Sequence, residues 1–267
     1  MNVRFWGVRG SIAVSGADFA ATGGNTSCVA VEAEGHLMVL DGGTGLRALG
    51  ASLGFVPVNM TICFSHVHWD HIQGVPFFAP FFHPGSRVRV LGARRDGSGV
   101  REALAAQMRP PTFPITLDAL RARLEFEDVN PGATLEIGPF KVSTCEVPHP
   151  DGAMSWRVEE RTRAFVYATD VEHAAAPDAR FLRFCEGAGL LAHDAQYTDE
   201  EYARSRGWGH STWRTAVDVA RQAGVERLAL FHHDPTRNDA GVAQLEAFAS
   251  RERAGVFAAR EGLRVAL

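Results

Sequence analysis

Lysine is nearly missing from this chain: of 27 basic residues only Lys141 is Lys and the rest are Arg. The arginines are scattered and form no basic tail, and the formal net charge is −4, so nothing draws the whole molecule to nucleic acid. Cysteine is sparse too. Cys28, Cys63, Cys145 and Cys185 form no C-x-x-C pair and sit in apolar runs, which predicts reduced core thiols rather than disulfides or a zinc ribbon. No apolar run approaches the ~18 residues a membrane span needs. The first residues pass straight into the strand-like VRFWG, with no charged and apolar leader before it, so the expected address is the cytoplasm. No Gly- or Ser-rich linker divides the 267 residues, which argues for one domain over 1–267 made of two halves meeting near residue 130, at the turn NPG.

What is present is a strand-rich pattern in two batches. Alternating or β-branched runs fall at 3–6, 27–33, 36–41, 59–64 and 87–91, then at 123–127, 134–146, 154–159, 163–169, 188–193, 226–231 and 262–266. Helical spacing follows Ser211, with Trp213, Ala216, Val217 and Ala220 on one face, Ser211 as N-cap and Gly224 as stop. A second helix is expected over 239–253 with Val242, Leu245 and Phe248 inward. Strands in two batches with helices between them predict an α/β fold, a four-layer αββα sandwich of mixed sheets with helices outside.

The densest chemistry is SHVHWDH at 65–71, between the strand TICF and the apolar IQGVPFF. In extended chain, residues two apart point the same way, so His66 and His68 can hold one metal ion, while Asp70 and His71, on the turn into a helix, reach a second. Imidazole and carboxylate at this density suit zinc, with manganese or iron as alternatives. The segment resembles the H-x-H-x-D-H signature of the metallo-β-lactamase superfamily. That resemblance implies further ligands at strand ends: His149 after FKVSTCEVP on the first metal, Asp170 after AFVYATD as the bridging carboxylate, and His232 after RLALF on the second. His233 is the neighbour that alternation aims the other way; a His three residues before Pro235 selects His232. Asp41, before GGTG, resembles the superfamily's first Asp, which supports a ligand His; a helix N-cap is the other reading.

Two carboxylates against two divalent ions leave about +2 of charge, which would attract a phosphodiester. The family chemistry is attack by a metal-bridging hydroxide, with Asp70 in the centre that generates it. The stretch 190–212, with Asp194 and then HST at 210–212, resembles the ribonuclease Z-like phosphodiesterase branch. By that resemblance Asp194 orients His210, and His210 donates a proton to the leaving oxygen; the bland reading is an exposed His beside a capping Ser211. The twenty residues 150–169 between His149 and Asp170 leave no room for the long arm with which bacterial members grip tRNA, which argues against tRNA as substrate. GVRGS at 7–11 and GGNTSC at 23–28 look like the small phosphodiesterases, including cyclic ones, with Arg9 as a candidate phosphate partner. PFFAPFFHP at 76–84 and MRPPTFP at 108–114 supply aromatics that pack in the core, wall a base-stacking site or, at 77–82, join a homodimer.

The expected activity is therefore cleavage of a small or cyclic phosphodiester by a two-metal hydrolase. A lactonase, thioesterase or β-lactamase would use the same metals on a carbonyl, and a non-catalytic metal-dependent sensor or scaffold is the reading outside enzymology. The roles of His173, His193 and His233 stay open.

Overall fold

The computed structural model describes residues 1–95, 97–173 and 176–267. Two seven-stranded sheets pack face to face. In the first, β1 (Asn2–Gly7), β2 (Cys28–Ala33), β3 (His36–Leu40), β4 (Asn59–Cys63), β5 (Arg87–Gly92) and β6 (Arg123–Asp128) follow one another in space as in sequence. The second holds β7 (Thr134–Ile137), β8 (Phe140–Val147), β9 (Ala153–Glu160), β10 (Arg163–Ala168), β11 (Leu190–Asp194), β12 (Arg227–Phe231) and β13 (Val256–Ala258), again in sequential order. The final strand, β14 (Arg264–Ala266), crosses back and pairs with β1 in the first sheet.

Both sheets repeat one plan. β1–β2–β3 and β7–β8–β9–β10 are antiparallel meanders; β3–β4–β5–β6 and β10–β11–β12–β13 are parallel. A parallel pair needs a crossover, and helices supply several: α1 (Gly45–Leu53) between β3 and β4, α3 (Val100–Gln107) between β5 and β6, α4 (Ala179–Cys185) between β10 and β11, and α5 (Asp199–Ser205) and α6 (Trp213–Gln222) between β11 and β12. The four-residue α2 (Trp69–Ile72) follows β4, and α7 (Asp239–Glu252) precedes β13.

Alternation along the strands separates three apolar clusters. Phe5, Met38, Leu40, Trp156, Phe165, Tyr167 and Phe231 fill the space between the sheets. The outer face of the first sheet is covered with Leu46, Leu49 and Leu104 from α1 and α3, that of the second with Trp213, Val217 and Leu245 from α6 and α7. The result is the expected αββα layering, with the chain passing from one sheet to the other between Asp128 and Thr134. All four cysteines are free and buried, and no helix among the described residues is long and apolar enough to cross a membrane.

Three local expectations are corrected. The run 134–146 is not one strand but the hairpin β7–β8, turned at Gly138 and Pro139. The α6 cap is Thr212, whose Oγ1 accepts from Thr215 N at 3.2 Å, because Ser211 spends its hydroxyl on Val171 O at 2.6 Å. Phe248 is 40% exposed and Ala249 takes the inward position on α7.

Candidate metal centre

Six chemistry-bearing residues sit at or just past the C-terminal end of a strand: Asp41 after β3, His66 after β4, His149 after β8, Asp170 after β10, Asp194 closing β11 and His232 after β12. This is the rim where parallel strands present a crevice. His68, Asp70 and His71 follow on the turn into and within α2, and His210 lies between α5 and α6. Asp41, Asp170 and His232 have φ of 62°, 52° and 60°. A side chain in this left-handed region costs roughly 1–3 kcal/mol and is found where the surroundings over-determine it, as at functional sites. Here the chain turns sharply out of each strand and throws the side chain back over the rim.

The structure brings His66, His68, Asp70, His71, His149, Asp170 and His232 together in two adjoining groups. His66, His68 and His149 converge on one side; Asp70, His71 and His232 on the other. Asp170 lies between, its Oδ1 3.7 Å from His66 Nε2 and 3.8 Å from His149 Nε2, its Oδ2 3.2 Å from His71 Nε2 and 3.3 Å from His232 Nε2. His68 turns Nδ1 inward, 3.1 Å from His149 Nε2.

A metal fits on the donors' own terms. Nε2 of His66, His71 and His232 are buried with no hydrogen-bond partner, and an unsatisfied buried polar atom costs about 1–3 kcal/mol. Atoms coordinated at about 2.0–2.1 Å by one tetrahedral ion stand about 3.3–3.4 Å apart, close to the spacings around Asp170. The opposite ring nitrogens are each tied down: His66 Nδ1 to Ser65 Oγ at 3.0 Å, His71 Nδ1 to Asp41 Oδ2 at 2.7 Å, His149 Nδ1 to Gly209 O at 2.9 Å and His232 Nδ1 to Gln196 Oε1 at 2.9 Å. Such partners fix which nitrogen carries the lone pair. Burial, reinforced by His71, drives His66 well below the ordinary imidazole range. Burial also opposes charge on His71, yet Asp70, Asp170 and Asp41 hold it well above that range.

Asp41 is no helix cap. Besides His71, its carboxylate accepts from Ser65 N at 2.7 Å, Ser65 Oγ at 2.7 Å and the Tyr167 hydroxyl at 2.8 Å, while Thr44 precedes α1. Arg9 is a correction. Its guanidinium is fully buried and donates to the carbonyls of Gly23, Asp234 and Arg237 at 2.8, 3.3 and 2.6 Å, so it knits three loops and offers no charge to a ligand. From the same loop it is the Ser11 N–H that reaches the centre, donating to Asp70 Oδ2 at 2.8 Å.

His210 is 8% exposed. Its Nδ1 lies 2.8 Å from Asp194 Oδ2, and its ring stacks on His232 at 4.9 Å. Burial opposes its charge, but Asp194, then Asp170 and Asp70, push the imidazole up to about 9. Asp194 Oδ1 also accepts from Ser211 N at 2.9 Å, and its Oδ2 from Asp170 N at 3.1 Å, so one carboxylate ties the proton-bearing ring to the central ligand.

Of the residues that hold the ligands, sequence reasoning found Asp41 and missed the others. Ser65 precedes the first His directly. Gln196 lies two residues beyond Asp194, where strand alternation continued past β11 sends it the same way. Gly209 has φ 89°, and a Cβ there would stand 2.0 Å from His149 Nδ1. Glu172 accepts from the N–H groups of Gly207 and Gly209, both at 2.8 Å, fixing the loop that delivers His210. The open histidines lie apart from the ligand groups: His173 stacks on His193, whose Nδ1 turns to Asp194 O, and His233 Nε2 bonds Ala259 O.

Fold and site together define a metallo-β-lactamase-fold hydrolase with buried His and Asp clusters that could hold metal ions. The beta-lactamase superfamily domain model matches residues 38–233, and the chain belongs to the metallo-β-lactamase superfamily. Within it the matches fall on the branch of ribonuclease Z and the PhnP family. The ribonuclease Z of Haloarcula marismortui is 24% identical, the alignment covering 87% of this chain and 86% of that protein. A solved diphosphatase of the PhnP family superposes with TM-score 0.72 at 19% identity, over 100% of this chain and 97% of its own. Zinc-bound PqqB from Methylobacterium extorquens gives TM-score 0.75 at 15% identity, covering 100% of both chains.

Proposed function

We propose that this chain is a phosphodiesterase that cleaves a small or cyclic phosphodiester, with two divalent metal ions, zinc foremost, held by His66, His68 and His149 and by Asp70, His71 and His232, with Asp170 between them. Bound there, the metals would polarise the phosphoryl group and activate the attacking water. The observation that carries the reading is the Asp194–His210 pair beside the ligands. An alkoxide leaving a phosphate needs such a donor, whereas a thiolate leaving an acyl group does not. With Nδ1 engaged by Asp194, His210 keeps Nε2 for the departing oxygen, and Asp194 favours its imidazolium form. Asp194 is a positioning residue.

Two features support a small substrate over tRNA. The residues between His149 and Asp170 are consumed by the β9–β10 hairpin, and the net charge is −4. His210 opens on a cavity of about 410 Å³ shared with Ser11, Tyr197 and Trp208, sized for a small molecule.

The test is hydrolysis of two diesters, one expelling p-nitrophenolate and one expelling an alkoxide, by zinc- or manganese-loaded protein, with a p-nitrophenyl carboxylate ester in parallel. Diester cleavage should exceed ester cleavage and vanish on chelation. His210→Ala should lose roughly 10²–10⁴-fold on the alkoxide and less on nitrophenolate, which needs no proton. Ester cleavage alone, or equal losses on both diesters, would overturn the reading.

A further inference from the structure

A cavity separate from the one His210 lines reaches the His68–Asp70 segment through Trp69. It has a volume of about 830 Å³ and is walled by Ile12, Trp69, Phe77 and Phe113, with Gln73 and Arg47 among its polar groups. Trp69 sits in sequence between the ligands His68 and Asp70 and is 64% exposed; Phe77 is 56% exposed and meets Phe113 edge-on at 5.7 Å. Phe78 and Phe81 of the same aromatic run are fully buried, so Phe77 is the member not absorbed by the core. Large rings left in water beside a reactive centre have no packing account.

Two further observations say what fits. Gln73 lines the cavity one turn from Trp69, its backbone N–H bonded to Trp69 O at 3.0 Å. A carboxamide presents an acceptor and a donor side by side, which matches the edge of a heterocyclic base. Among the described lining residues there is no carboxylate, and the charged one is Arg47. The wall is thus apolar faces for stacking, an amide for an edge, and one positive charge.

We propose that this cavity binds the nucleobase of the substrate, on the part that stays attached to phosphate after cleavage. The inference rests on the phosphodiesterase reading and narrows it to nucleotide diesters. Adjacent residues of one loop line the two cavities: Ser11 that of His210, Ile12 the aromatic one. Ser11 N also holds Asp70, so the loop between the two cavities is pinned to a metal ligand. The alcohol leaves on the His210 side and the nucleoside monophosphate remains on the Trp69 side.

The experiment compares kcat/KM of the metal-loaded enzyme for thymidine 5′-(p-nitrophenyl phosphate) and for the same diester with methoxyl in place of the base. Stacking of one base predicts a preference of about ten- to hundred-fold. The ratio should collapse toward unity in Phe77→Ala and fall in Gln73→Ala, while circular dichroism reports an unchanged fold. Thymidine 5′-monophosphate should quench tryptophan fluorescence in wild type and much less in Phe77→Ala, a readout independent of turnover. Turnover of both diesters at equal kcat/KM would overturn the base site and leave the phosphodiesterase reading standing. Turnover of neither would overturn that reading, and the quenching would then decide the cavity alone. A dimer by sedimentation that dissociates on Phe77→Glu would assign the aromatic face to a second copy and overturn the proposal.

Discussion

Asp41 shows how much of a metal site is built behind the ligands. Its two oxygens take four hydrogen bonds, from Ser65 twice, Tyr167 and His71, in a fully buried position. Asp41→Asn keeps the shape but replaces one acceptor by a donor facing donors. Metal affinity, measured by competition with a chromogenic chelator, should fall about 10- to 100-fold; an unchanged affinity would mean that His71 does not bind metal through Nε2. Arg9 is the opposite case, a charged residue at the rim whose work is structural. Arg9→Met should leave the carbonyls of Gly23 and Arg237 without a donor, Asp234 O keeping the Arg237 N–H, and destabilise the protein by roughly 2–6 kcal/mol in urea unfolding, since an unsatisfied buried polar group costs about 1–3 kcal/mol. KM for a diester should stay within about twofold. A large rise in KM with stability intact would restore Arg9 as a phosphate partner.

At the scale of elements, pH acts through the stacked His173 and His193, packed on Phe181 of α4. Burial, then His193, lowers His173 to about 3. The unfolded chain takes up this proton near the ordinary value of about 6.5 while the folded chain refuses it. Stability from this group is therefore complete above about 6.5 and declines as pH falls toward 3. His173→Phe should flatten the stability slope between pH 6.5 and 4 relative to wild type, both measured in chelator. An unchanged slope would mean that His173 protonates without cost. Elements also show what the sequence made legible. Strands read well because both sheets alternate between an inner and an outer apolar cluster, and several of the clustered His and Asp stand out because they follow the end of such a strand. The helix α1 stayed hidden behind its glycines: Gly45 presses against β1, where a Cβ would stand 2.6 Å from Trp6 O, so packing demands the residue that helix propensity disfavours. β13 is three residues long and has no period to detect. Gly209 and Glu172 were invisible because their roles exist only once two distant loops meet.

At the scale of the whole molecule the candidate metal centre is a joint. The first half supplies His66, His68, Asp70 and His71, the second His149, Asp170 and His232, and Asp170 touches donors from both. Metal binding must therefore favour the docked pair of sheets over the unfolded chain. Ligand at about a thousand times its Kd stabilises a protein by about 4 kcal/mol per site, and for a chain of this size each kcal/mol moves Tm by roughly 2–4 °C. Exhaustive chelation should lower Tm by at least about 8 °C in calorimetry, and readdition of zinc should restore it. The centre spans both sheets, so the transition should move as a single peak. Two separated peaks on chelation would mean that the halves hold together only through the metal. A Tm indifferent to chelation and to zinc would mean that the buried imidazoles carry no metal, and the hydrolase reading would lose its base.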